Sequence, residues 1–186
     1  KGNVRQVTEP REMINVKELA EPGKITVLAL NRLTPKEIDL FVANAIRSAF
    51  TAGFEESPKL KMLLVFDEVH RLLTKFGGTG DGLVQLERAV REFRKWGIGI
   101  VLISQVLSDF VGEIKANINT QIQMKTRDDG DLNRIKMQYG EEYIQSLVKS
   151  PVGSGMVQNG AWNRGRPYFV TFRPILHSVV RLTDDD

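Results

Sequence analysis

LKMLLVFDEVHR, residues 60–71, is the stretch on which the reading of this chain turns. Five apolar residues run without a break from Met62 to Phe66, and two adjacent carboxylates, Asp67 and Glu68, follow at once. An apolar run of that length, bounded by charge, predicts a strand buried on both faces of a parallel sheet. Carboxylates at the C-terminal end of such a strand emerge where open α/β sheets bind their ligands. An Asp there can hold Mg²⁺ through water, and a Glu beside it can polarise an attacking water.

Outward from this stretch the pattern repeats. Residues 25–30 (ITVLAL) and 98–103 (IGIVLI) predict two further buried strands, the second ending in Ser104 and Gln105. Thr34, Pro35 and Glu37 supply an N-cap, a proline at the first helical position and an acidic first turn. The helix predicted from there to about residue 52 carries Ile38, Phe41, Val42, Ala45, Ile46 and Ala49 at helical spacing. Residues 76–82 (FGGTGDG) hold four glycines in seven and predict a mobile loop. A second amphipathic helix follows over 83–96, with Leu83, Leu86, Val90 and Phe93 on one side. Beyond it we expect a brief helix at 108–116, a strand at 120–125 and helices at 129–139 and 141–148. Alternating residues with Gly and Pro at 153–158 and 167–172 predict a C-terminal β-hairpin. The alternation of strands and helices predicts an α/β fold, a mainly parallel sheet flanked by helices. Residues 1–23 form a polar N-terminal segment, 24–178 the body and 179–186 a tail.

At 186 residues with 41% hydrophobic and 26% charged content, the chain suffices for one domain with a core. A formal charge of +3 does not by itself demand nucleic acid. No apolar run approaches the roughly 20 residues needed to span a bilayer. The lack of cysteine excludes a disulfide scaffold or thiolate metal site and fits a cytoplasmic protein. Two histidines, His70 and His177, are too few for a histidine-built metal site.

Asp67 and Glu68 on one strand end, with Ser104 and Gln105 on another, make a site for a hydrated metal, a phosphate and an attacking water. Glutamine suits such a site because it donates and accepts at once, so it can orient water or sense a terminal phosphate. His70 could orient the carboxylates, act as a proton relay or cap the helix that follows; capping is the expectation. Trp96 and Trp162 are expected to pack at helix and hairpin ends.

The ordered set of motifs resembles the ring ATPases of the HerA/FtsK superfamily. Its pieces are LLVFDEVHRLL (63–73), REFRKWGIGIVLISQ (91–105), SDFVGEIKANINTQIQMKT (108–126) and a tail, SPVGSGMVQNG (150–160) with GRPYFVTFRP (165–174). The resemblance covers about residues 24 to 175. It implies the C-terminal part of a RecA-like domain, using ATP and Mg²⁺. Asp67 would be the Walker B aspartate near the metal, and Glu68 the residue that activates water. Ser104 and Gln105 would lie at the nucleotide, Gln105 reporting the γ-phosphate. Arg94, in Arg-Lys-x-Gly, would reach the neighbouring subunit's nucleotide, with Arg91 as the competing candidate. The glycine loop, with Lys75, Gly77, Gly78 and Gly80, would face double-stranded DNA in the channel of a hexameric homo-oligomer. A nuclease or secretion partner is implied as well. A conjugation or type IV secretion motor is the alternative within the family; a catalytically silent scaffold is the alternative outside it.

One departure stands out. Phosphate binding in this family needs Gly-x-x-x-x-Gly-Lys-Ser/Thr, which none of the 186 residues supplies. Gly23-Lys24 is followed by Ile25 and has Glu18 at the first glycine position. No lysine follows Gly77-Gly78-x-Gly80. The expectation is a partial domain that alone does not hydrolyse ATP appreciably and leaves apolar sheet surface uncovered.

Overall fold

The computed structural model describes residues 3–6, 15–19, 21–73, 77–105, 108, 110 and 112–174. In chain order the elements are β1 (Asn3–Gln6), α1 (Val16–Leu19), β2 (Thr26–Ala29), α2 (Pro35–Thr51), β3 (Met62–Phe66), α3 (Asp81–Glu92), β4 (Ile98–Leu102) and α4 (Gly112–Asn117). They are followed by β5 (Thr120–Met124), α5 (Asp129–Tyr139), α6 (Glu141–Lys149), β6 (Ser154–Asn159) and β7 (Tyr168–Thr171). Short 3₁₀ turns occupy Val69–Leu72, Phe93–Trp96 and Asn163–Gly165. The chain forms two compact units, residues 1–118 and 119–186.

In the first unit both strand pairs are parallel. β1 pairs with β2, and β3 with β4, placing Met62 opposite Ile98 and Phe66 opposite Leu102. Sequence patterning gave no strand at residues 3–6, because four polar or singly apolar residues carry no period to read. The β3–β4 ladder extends past the strand ends: Ile103 N donates to Phe66 O at 2.9 Å, and Val69 N to Ile103 O at 3.0 Å.

α2 starts where a capping box is written. Thr34 accepts from the Glu37 backbone N–H while the Glu37 carboxylate reaches back to the Thr34 N–H at 2.7 Å, and Pro35 enters the first turn. Such a cap stabilises a helix by about 1 kcal/mol. The Thr34 N–H and the Thr34 hydroxyl, which donates to the same carboxylate oxygen at 2.8 Å, favour the charged form and hold the exposed Glu37 carboxyl below the ordinary value.

Ile38, Phe41 and Ile46 of α2 meet Leu86, Ala89 and Phe93 over Met62, Leu64, Phe66, Ile98, Ile100 and Leu102. Phe93 is fully buried and lies 4.9 Å from the Phe50 ring and 5.5 Å from Trp96. Burying a side chain of this kind is worth about 2–3 kcal/mol.

The expectation that β3 is buried on both faces is corrected here. Leu63, Val65, Val101 and Ile103, the alternate residues, are 37–56% exposed. The helices of this unit cover one sheet face, and the opposite face stays apolar and open, as expected for a partial domain. β2 likewise leaves Val27 47% exposed, and Ile25 just before it 72%.

Gly97 joins the second 3₁₀ turn to β4 at φ +70°, and a Cβ there would lie 2.1 Å from Lys59 O. Gly97→Ala must therefore add a left-handed alanine and a backbone collision together. We expect a loss of at least about 2 kcal/mol in denaturant unfolding; an unchanged midpoint would contradict the close approach.

In the second unit β5, β6 and β7 form an antiparallel sheet in that order. The C-terminal hairpin is β6–β7, and the strand at 120–124 joins it as the third member. α5 begins at Asp128, whose side chain accepts from Asp131 N at 2.9 Å. Ile135, Leu147 and Met156 form the core, with Tyr139, Tyr143 and Ile144 against it. Trp96 packs as expected, against Phe50, Phe54 and Phe93, but Trp162 is 62% exposed and does not. Among the described residues no helix is long and apolar enough to cross a membrane.

Candidate active site

Parallel pairing of β3 with β4 carries both chain exits to one rim of the sheet. Asp67 and Glu68 leave β3 there, and Ser104 and Gln105 leave β4. The backbone turns abruptly at Glu68, which has φ +54° and ψ +49°. A left-handed conformation costs a non-glycine residue roughly 1–2 kcal/mol. It is imposed by the bonds on either side, Ile103 N to Phe66 O and Val69 N to Ile103 O. Local strain of this sort concentrates at functional sites.

The turn sets the Glu68 carboxylate beside Gln105, whose Nε2 donates to Oε1 at 3.1 Å and reaches Oε2 at 3.4 Å. His70 Nδ1 lies 2.9 Å from the same Oε2. His70 sits inside the 3₁₀ turn and does not cap it; it faces the carboxylate instead. Asp67 is exposed, and its Oδ1 accepts from the Glu68 N–H at 3.0 Å. Ser104 is half-buried on the same rim. So the residues singled out on two distant stretches of sequence lie on one rim of the sheet, with Glu68 and Gln105 in contact.

Among the described residues no group of three or more His, Cys, Asp or Glu could enclose a metal. A single exposed carboxylate, Asp67, fits Mg²⁺ nonetheless, since that ion keeps several waters and takes its remaining ligands from substrate phosphates.

Arg94 lies at the opposite rim. It precedes β4, whereas Gln105 follows it, and five residues of strand span about 16 Å. Arg94 lines an open groove of about 660 Å³ with Glu56, Ser57, Pro58, Arg91 and Lys95. Lys95 lies 3.5 Å from Glu92, which also accepts from Arg88 at 3.1 Å. Arg88 holds the Glu92 carboxyl below its ordinary value. Arg91 has interactions within the chain, and the Arg94 guanidinium is left exposed to whatever enters the groove.

The glycine loop is held by a residue that sequence reading missed. Asp39 of α2 is fully buried, and its carboxylate accepts from Thr79 N at 2.8 Å, Gly80 N at 3.0 Å and Gly82 N at 2.9 Å. The Thr79 hydroxyl donates to it as well. Asp39 thus caps α3 from a different helix, which explains why its N-cap, Gly80, needs no side chain. The amides of Gly80 and Thr79 are thereby committed internally. Gly77, at φ +93°, and Gly78 lie in the same loop, while Lys75 falls outside the described residues.

No protein-family model matches the chain. It is 30% identical over 146 residues to the DNA double-strand break repair helicase HerA of Sulfurisphaera tokodaii, covering 73% of this chain and 29% of that protein. The protein of the same name from Sulfolobus acidocaldarius is 31% identical over 117 residues, 59% of this chain and 23% of its own length. The chain therefore spans under a third of the curated relatives it matches. Among solved structures, the genome packaging NTPase B204 of Sulfolobus turreted icosahedral virus 2, in complex with AMPPCP, superposes with a TM-score of 0.54 at 13% identity, over 93% of this chain and 74% of that one. The plasmid coupling protein TrwB, in complex with GDPNP, gives 0.60 at 14% identity, over 84% and 42%. At these identities the structural likeness carries the α/β fold and nothing finer.

Proposed function

We propose, from the premise that this chain belongs to the HerA/FtsK-type P-loop ATPases, that it forms the water-activating and intersubunit portion of an ATP-driven DNA translocase. One observation carries the reading. Glu68 and Gln105, thirty-seven positions apart, meet at 3.1 Å on the C-terminal rim of a parallel strand pair. The phosphate-binding loop would come from polypeptide outside these residues, so the chain alone does not turn over ATP. Mg²⁺, where bound, neutralises phosphate charge, and Asp67 would hold it through water. Glu68 takes the proton from a water whose oxygen bonds to the γ-phosphorus as the bond to ADP breaks. Gln105 orients that water or the γ-phosphate. Ser104 lines the same rim.

Arg94 acts across the subunit boundary. A strand's length separates it from Glu68 in its own chain, so it can meet a nucleotide only in a neighbour, within a homo-oligomeric ring. A planar guanidinium there neutralises charge on the transferring phosphoryl group. Of the two arginines considered for this role, Arg94 is favoured because Arg91 is engaged within the chain. The two relatives, DNA double-strand break repair helicases, support double-stranded DNA as the partner, and such binding would fall steeply with salt. Conjugation or secretion of DNA, by a motor of the same superfamily, is the second reading.

Mixing decides the geometry. In a polypeptide that includes the phosphate loop, Arg94→Ala and Glu68→Gln should each abolish turnover. Combined in equal amounts they should recover activity at roughly a quarter of the interfaces, where an intact Glu68 faces an intact Arg94. No recovery on mixing would rule out action in trans.

A further inference from the structure

His70 has no part in the chemistry above, yet its Nδ1 lies 2.9 Å from Glu68 Oε2, an ion-pair distance without hydrogen-bond alignment, and is shielded from solvent. The imidazole itself is only 20% exposed, against 40% for the Glu68 side chain. Glu68 therefore rests between two side chains of different character. Gln105 reaches it from the end of the neighbouring strand, and its amide touches both carboxylate oxygens. His70 reaches it from two residues downstream on a 3₁₀ turn whose Val69 and Leu72 are buried.

We propose that His70 is the positioning residue of Glu68: it holds Oε2 from Nδ1 and keeps the carboxylate aimed when Gln105 turns to the terminal phosphate. This rests on the function proposed above and deepens it. The Gln105 amide carries two N–H groups, and when the side chain swings toward the terminal phosphate its contacts of 3.1 and 3.4 Å to the carboxylate lengthen together, leaving His70 as the neighbour that stays in place. The left-handed backbone at Glu68 restricts where the side chain can go, and the short contact to a packed imidazole fixes the remainder. Partners that orient metal-ligating side chains contribute about tenfold to a hundredfold, and an effect of that order is expected for a residue orienting Glu68. The arrangement requires the imidazole proton on Nδ1, the tautomer that a carboxylate at that nitrogen selects.

Two measurements test it. The 186-residue chain has only His70 and His177, so His177→Gln leaves one imidazole in a nitrogen–proton correlation spectrum. We expect Nδ1 protonation there, lost in Glu68→Ala; an Nε2-protonated ring, or a spectrum indifferent to Glu68→Ala, overturns the proposal. In the polypeptide with its phosphate loop, His70→Ala should lower kcat about tenfold or more at unchanged KM. His70→Asn, which restores a donor near the Nδ1 position, should recover most of it. If Glu68→Gln abolishes turnover while His70→Ala equals wild type, the role of His70 falls and the ATPase reading stands. If Glu68→Gln is itself active, that reading fails first, and the spectrum alone then decides whether His70 holds the carboxylate.

Discussion

Glu68→Gln should lower ATP turnover about 10³-fold, within the range that general bases contribute, and leave nucleotide affinity within about twofold. The expectation follows from the site's geometry. Glutamine has the same shape and can keep the same left-handed backbone, so the rim is preserved while the proton acceptor is lost. Gln105 still finds a carbonyl oxygen to bond. Stability should barely move, because the side chain is 40% exposed and the backbone strain is common to both proteins. The measurement is steady-state turnover beside nucleotide binding, in a polypeptide that includes the phosphate loop. Turnover within tenfold of wild type would show that another group activates the water.

Asp39→Ala should have the largest effect on stability, about 3–5 kcal/mol. Three backbone amides and one hydroxyl converge on this fully buried carboxylate. Removing it orphans them together, and each unmet buried donor costs about 1–3 kcal/mol before relaxation. Water entering the space left by the carboxylate offsets part of that. A drop of roughly 10 °C in Tm follows for a chain of this size. Asp39→Asn should fall between, since one acceptor oxygen survives and the new NH₂ faces donors. Amide exchange at Thr79, Gly80 and Gly82 should accelerate in both variants. A Tm shift under about 2 °C for Asp39→Ala would mean that the loop does not depend on the clasp. The same contacts bear on the expectation that this loop faces DNA: amides already bonded to Asp39 are not available to a phosphate, so Gly80 would not itself donate to the backbone of a duplex.

How much of this was legible in the residues differs from element to element. α2 could be read nearly to its ends, because Thr34, Pro35 and Glu37 spell a local cap that needs no tertiary partner. β3 and β4 were legible as strands from their apolar runs, but not their one-sided burial. A run of five apolar residues looks the same whether one face or two are covered, and only the neighbouring helices decide. Asp39 was overlooked although its signal is present. It stands with Val42, Ala43 and Ile46 at positions i, i+3, i+4 and i+7, a lone carboxylate on an otherwise apolar stripe, and such a residue must have buried donors waiting. His70 was expected to cap a helix, since spacing alone cannot tell a cap from a contact made two residues back.

The sequence by itself determined the strands and helices other than β1, the polar residues that end β3 and β4, and the family, because these depend on periodicity and on motif order along the chain. Tertiary structure alone decided that Gln105 and His70 meet on Glu68, that Arg94 lies a strand's length away, and that Asp39 holds the glycine loop. Those are distances between residues far apart in sequence or turned by a strained backbone, and they are set by parallel register and a left-handed turn that no local pattern encodes.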